Sequence, residues 1–120
     1  MLPPFGDLNS VKKYLEKGYD VNTINKQGHQ AFMIAAHQGN IEMAKLLIQY
    51  KSDINAKHKI SGNTALIAAI DQGQKDMVKF LIDCRADLYE INNTGKTSLQ
   101  VAVDKGNNEI VELLKNAELK

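Results

Sequence analysis

Gly-Asn-Ile-Glu-Met-Ala-Lys-Leu-Leu-Ile occupies residues 39–48, and Gly-Gln-Lys-Asp-Met-Val-Lys-Phe-Leu-Ile occupies residues 73–82. Outward from this pair, Gly6 and Gly106 open related phrases, so Gly6, Gly39, Gly73 and Gly106 stand 33, 34 and 33 residues apart. A period of this length marks a unit that cannot bury its apolar face alone and must stack on its neighbours. The array, rather than any single pocket, is the structural object, and this argues against most enzyme readings.

Within each unit the pattern reads helix, glycine turn, helix, loop. The segments Ala31–Ala36, Ala65–Ile70 and Ser98–Val103 are short and rich in small residues, as helices lying close against neighbours require. After the turn glycine, which takes positive φ cheaply, a second helix aligns Met43, Leu46 and Leu47 on one stripe, with Glu42, Lys45 and Gln49 opposite. Met77, Phe80 and Leu81 repeat the stripe, as do Ile110, Leu113 and Leu114. Ser-Asp-Ile-Asn at 52–55 and Ala-Asp-Leu-Tyr at 86–89 follow, with Gly62 and Gly95 in tight projecting turns.

The 120 residues include 43% hydrophobic side chains, enough for one continuous core. Fifteen basic and fourteen acidic residues leave a net charge of +1, which provides no bulk attraction to nucleic acid or an anionic membrane. No apolar run approaches the ~20 residues of a membrane span, and no leader is read at the N-terminus. The single cysteine, Cys84, forms no internal disulfide and fits a reducing compartment. The expected location is cytoplasmic, with the nucleus, or a host cell for a pathogen effector, as alternatives.

Gly39 to Asn55, and Gly6 to Asn22, resemble the second half of the ankyrin-repeat unit, Gly-x-Thr-Pro-Leu-His-x-Ala-Ala-x-x-Gly-His-x-Glu-Ile-Val-x-Leu-Leu-Leu-x-x-Gly-Ala-Asp-Val-Asn. The resemblance extends over about the whole chain. It implies an all-α ankyrin-repeat solenoid of stacked helix-turn-helix units with projecting β-turn or hairpin loops. The expected organisation is one domain over 1–120, with a partial repeat at 1–24, repeats at 25–58 and 59–91, and a capping repeat at 92–120. Asn55, eight residues after Leu47, resembles the asparagine that is hydroxylated in animal ankyrin repeats, and is the modification candidate.

Departures from the family pattern carry their own expectations. Thr-Pro-Leu-His is replaced by Gln30-Ala31-Phe32-Met33, Thr64-Ala65-Leu66-Ile67 and Thr97-Ser98-Leu99-Gln100. Without the histidine that in the family ties neighbouring loops, the array is expected to rely more on apolar stacking and to have modest stability. Lys51 and Arg85 stand where Gly18 keeps the helix-ending glycine; if that place is left-handed, each costs on the order of 1 kcal/mol. Asn55 to Gly62 is one residue longer than Asn22 to Gly28, so the intervening turn should bulge. Lys13 and Lys115 replace aliphatic residues at the two ends and read as polar caps. The first helix of the first unit is replaced by Met1–Phe5, whose adjacent prolines disfavour helix; either the chain is a fragment or these residues drape over the edge.

No nucleophile elbow, phosphate loop, Cys-x-x-Cys or His-Glu-x-x-His is present. His37, Asp71 and Asp104 form a row at repeat spacing, but layers ~10 Å apart are too distant for side chains to share an ion at about 2 Å from each ligand. No catalytic residue, metal or cofactor is therefore expected, and Cys84 is read as partly buried and inert.

The resemblance implies a partner gripped on the concave side by the turns and the inner rim. In the second unit these places are Lys26, Gln27, His29, His37, Gln38 and Tyr50. The third contributes Ile60, Ser61, Asn63, Asp71 and Gln72, and the fourth Asn93, Thr94, Lys96, Asp104 and Lys105. Tyr50, whose position is read as pointing to the groove, and exposed Ile60 are the expected anchors. The expected function is a non-enzymatic protein-protein interaction module: adaptor, scaffold or inhibitor. A structural fragment of a longer array is the alternative. A nucleic-acid-binding module is remote, since charge and aromatic content supply neither phosphate neutralisation nor stacking platforms.

Val11, Tyr14 and Leu15 lie on a helix whose covering partner is missing from the sequence, so their apolar area must be buried by residues 1–5, by a second chain or by further sequence. Deleting residues 1–5 should lower the melting temperature or promote self-association through this edge, read by calorimetry and light scattering. An unchanged monodisperse monomer would show the edge to be self-sufficient.

Overall fold

In a computed structural model, described over residues 7–119, the chain folds into seven helices: α1 Leu8–Glu16, α2 Ala31–Gln38, α3 Ile41–Gln49, α4 Ala65–Asp71, α5 Lys75–Asp83, α6 Ser98–Asp104 and α7 Asn108–Glu118. The expected role of Met1 to Phe5 lies outside the described residues. Helices α2, α4 and α6 pack side by side in one row, α5 and α7 pack together in a second, and turns join the rows. The long axis of 41 Å matches four layers at the 8–10 Å spacing of packed helices. Among the described residues one isolated antiparallel β-bridge joins Ile24 to Gln30.

Small residues explain how closely the inner row packs. Ala36, Ala69 and Ala102 are completely buried, and Phe32, Leu66 and Ile70 fill the space between layers. Met43, Leu47, Met77, Leu81, Ile110 and Leu114 complete the core from the second row, as their helical stripe requires. The ends differ. Lys13 and Lys115 are exposed, as expected of caps, yet Val103 is 56% exposed although its counterparts Ala36 and Ile70 are buried. No described unit stacks beyond α6 to cover it.

One device turns the chain between rows in each of the last three units. Gly39, Gly73 and Gly106 adopt φ of 72°, 68° and 68°. The amides of Asn40, Gln74 and Asn107 then reach back to the carbonyls of Ala35, Ala69 and Ala102, satisfying helix-end acceptors. Asn40 and Asn107 go on to cap α3 and α7 through their side chains. Lys51 and Arg85 are indeed left-handed, at φ 70° and 64°, and each closes its helix with Ser52 N to Leu47 O and Ala86 N to Leu81 O.

The inner helices begin unequally. Thr64 and Thr97 accept from the backbone of Ile67 and Gln100, and Thr97 completes a capping box. Gln30 stands at the same place before α2, makes no side-chain cap, and leaves its Oε1 buried without a partner. Gln30→Thr should therefore raise stability by about 0.5–2 kcal/mol in urea unfolding. Leu81→Ala, which empties a fully buried site, should lower it by about 2–5 kcal/mol.

Candidate functional site

Two adjoining clefts run along the inner row. The first, about 280 Å³, lies between the second and third units and is lined by His29, Met33, Ile34, His37, His58, Ser61, Asn63, Thr64, Ala68 and Asp71. A second, about 200 Å³, continues it over Ile67 and Val101, sharing Asn63 and Asp71 and adding Asn92, Lys96, Asp104 and Lys105. Each has an apolar floor provided by the inner helices and a polar rim provided by the turns.

Charges along this rim are paired. Lys105 Nζ lies 2.9 Å from Asp71 across the layer, and Lys96 pairs with Asp104. Exposed pairs of this kind stabilise by only about 0–1 kcal/mol, so a ligand can exchange them at low cost. His29 lies against His58 with ring centroids 4.5 Å apart. Burial first, then the charges of His58 and His37, holds its pKa below the usual histidine value.

Of the side chains expected to grip a partner, His29, His37, Ser61, Asn63, Asp71, Lys96, Asp104 and Lys105 line the two clefts. Lys26, Gln27, Asn93, Thr94 and Ile60 lie on the adjoining turns, with Ile60 76% exposed; Gln38 and Gln72 lie at the ends of α2 and α4. Tyr50 requires correction. It caps α3, is half-buried and packs against the core, so it lines neither cleft. A residue one turn beyond the buried stripe of a second-row helix faces the core margin, not the inner row.

Apolar stacking, on which the array is expected to rely more for want of a bridging histidine, is not the sole tie between layers. Polar side chains join successive layers at several levels. Asn22 Oδ1 accepts from Asp53 N and Asn55 Oδ1 from Asp87 N, each at 2.8 Å. Gln74 Nε2 donates to His37 O at 3.1 Å, and His58 Nε2 lies 2.8 Å from Gln27 O. Asn93 donates through its backbone to Ser61 O and through its side chain to Ile60 O. The signal was present in the repeated Asn22 and Asn55, but a hydrogen bond between layers has no signature in either residue alone.

His58 was missed because it stands where the neighbouring turns carry asparagine. Asn25 and Asn92 close backbone turns to His29 and Lys96, four residues on, whereas His58 closes on Asn63, five residues on. The extra residue thus lies inside this turn, as the spacing predicted. Burial, and secondarily Asp83, pushes the Cys84 thiol pKa up, which disfavours the reactive thiolate.

Comparison with known proteins agrees with this architecture. The family profile for ankyrin repeats (3 copies) matches residues 4–90 and 51–120. The putative ankyrin repeat protein FPV024 of Fowlpox virus (strain NVSL) is 35% identical over 92 residues, covering 76% of this chain and 15% of that protein. The probable E3 ubiquitin-protein ligase XBOS33 of Oryza sativa subsp. japonica is 38% identical over 61 residues, 51% of this chain and 12% of the ligase. The inactive serine/threonine-protein kinase TEX14 of Mus musculus is 38% identical over 50 residues, 42% of this chain and 3% of its own length. The chain thus spans a small fraction of each of these relatives.

Nesting of adjacent turns gives a direct test of the rim geometry. A Cβ on Gly62 would lie 2.6 Å from Asn93 Oδ1 and 2.8 Å from Asn93 N, whereas a Cβ on Gly95 meets nothing within 4 Å, and both glycines have positive φ, 72° and 78°. Gly62→Ala should therefore destabilise by about 1–3 kcal/mol more than Gly95→Ala, measured by equilibrium denaturation.

Proposed function

This chain belongs to the ankyrin-repeat family, and from that premise we propose that it is a non-enzymatic adaptor, scaffold or inhibitor that grips a protein partner along the two joined clefts. Ankyrin repeats are in general protein-protein interaction modules, and the family is typically non-enzymatic. The observation that carries the reading is the continuity of the clefts across three units, with an apolar floor and a polar rim that share Asn63 and Asp71. Interfaces are dominated by a few anchors seated in such places. Presentation on packed helices lowers the ordering cost of association.

Ile60, His37 and Asp71 are the proposed anchors. Ile60 offers exposed apolar area at a turn tip, His37 lines the first cleft, and Asp71 is common to both. Tyr50 is left out because its core contact gives it a packing duty. No helix among the described residues is long and apolar enough to cross a membrane.

A second reading, a segment within a longer array, is favoured by the 56% exposure of Val103 and by relatives of which this chain covers at most 15%. The two readings are compatible, since a segment presents the same clefts.

The test is affinity capture from cells of the source, identification by mass spectrometry, and titration calorimetry with the purified partner. Each single replacement, His37→Ala, Ile60→Ala or Asp71→Ala, should cost about 1–3 kcal/mol of affinity at a central anchor while changing stability by about 0.5 kcal/mol or less. Equal affinity of wild type and the triple variant would overturn the assignment and move binding to the second-row helices or the ends of the array.

A further inference from the structure

The turn before α4 is closed by an imidazole where its neighbours use an amide. Asn25 Oδ1 accepts from the backbone of Gln27 and His29 at 3.0 Å each, and Asn92 Oδ1 accepts from Thr94 and Lys96 at 3.0 and 3.1 Å. In the third unit His58 Nδ1 takes that place, accepting from Ile60 N at 3.1 Å and Ser61 N at 3.3 Å. An imidazole nitrogen that accepts from two amides carries a lone pair, so the ring's hydrogen resides on Nε2. That N–H donates to Gln27 O at 2.8 Å in the turn of the preceding unit. The neutral ring therefore serves two joints: it closes its own turn and ties that turn to the one below.

We infer that His58 is a proton-operated latch, in which protonation at Nδ1 opens the turn from His58 to Asn63 and loosens the rim of the first cleft. The added N–H would face the two backbone N–H groups that the ring now receives, replacing two hydrogen bonds with donor-donor repulsion. The ring could keep its bond to Gln27 only by giving up the turn. An asparagine has no such liability, since its amide does not titrate.

The charged and titratable groups near the ring come from several elements. His29 and Lys26 come from the turn below, His37 from the end of α2, and Lys57 and Lys59 flank the ring in sequence. Asp71 is the one carboxylate among the residues lining this cleft, and Lys105 already holds it at 2.9 Å. Glu90, from the following unit, is engaged by Lys57 at 3.3 Å. His29 acts in the same sense. Because its folded pKa is lowered from the ordinary 6.5, its contribution to stability is complete above 6.5 and is lost as pH falls from there through the lowered folded value.

The consequence reaches beyond the turn itself. Ser61 O accepts from Asn93 N at 2.9 Å, and Ser61 and Asn63 both line the first cleft. Opening thus frees the joint to the fourth unit and reshapes the rim between the second and third. The latch rests on the turn's geometry alone and holds whether or not the clefts bind a protein.

Hydrogen exchange by NMR on the full chain, between about pH 7.5 and 5, where histidine changes charge, tests it. After correction for intrinsic exchange, the amides of Ile60 and Ser61 should lose protection on acidification, by up to about tenfold per pH unit for a single proton. Those of Thr94 and Lys96, held by Asn92, should not. In His58→Asn, which installs the amide used by the flanking turns, the pH-dependent loss at 60 and 61 should vanish. Protection that is independent of pH in wild type, or an equal loss in His58→Asn, overturns the latch. Imidazole nitrogen shifts of the wild type provide a measurement that needs no variant: a His58 ring protonated at Nε2 alone near neutrality supports it, and one protonated at Nδ1 overturns it.

Discussion

The structure depends on the close approach of α2, α4 and α6. Each layer has an apolar side that only the next layer can cover, and the row closes only where the contacting side chains are small. Ala36, Ala69 and Ala102 are completely buried in that row, while larger residues such as Phe32, Leu66 and Ile70 fill the gaps between layers. Helix propensity alone would not hold segments of seven or eight residues, which are marginal in water. Tertiary packing holds them, and the left-handed turn after each inner helix follows from the need to bring the second helix back against its own layer.

The same spacing determines what the loops can do. Turns stacked at the layer repeat place equivalent residues one above another, so a polar side chain can reach the backbone of its neighbour. The bonds from Asp53 N to Asn22 and from Asp87 N to Asn55 use the same step. Glycine is needed in the third turn because Asn93 of the next unit packs directly on Gly62. Stacked turns are therefore not loose appendages; they interlock, and their outer edges form the rim of the clefts.

Much of this was legible in the sequence. The glycine period, the alanine-rich inner helices and the left-handed places of Lys51 and Arg85 all follow from local rules applied to a repeated phrase. The cleft residues at the ends of the inner helices, His37, Asp71 and Asp104, could be placed for the same reason. What escaped were properties of pairs and ends. The bridges between layers depend on which atom of one turn faces which atom of another. Tyr50 was misjudged because a helix's last turn can face the core margin or solvent, a choice set by the neighbouring layer. Exposure of Val103 has the same origin, since its position is buried in the two preceding units and bare only where no described layer follows.

Repetition makes most positions answerable to the stack, so the informative residues are those that break it without breaking the packing. Inner-row alanines and second-row leucines must satisfy neighbours on both sides, and a change there is paid in stability. Turn residues are held just as firmly by backbone bonds but present their side chains to water. His58 belongs to this second class. It accepts from its own turn as Asn25 and Asn92 do, accommodates one additional residue there, and donates to Gln27 O of the preceding unit, as Asn92 Nδ2 donates to Asn63 Oδ1. A single substitution thus keeps a tie between two layers and makes it, unlike its counterpart at Asn92, responsive to a proton.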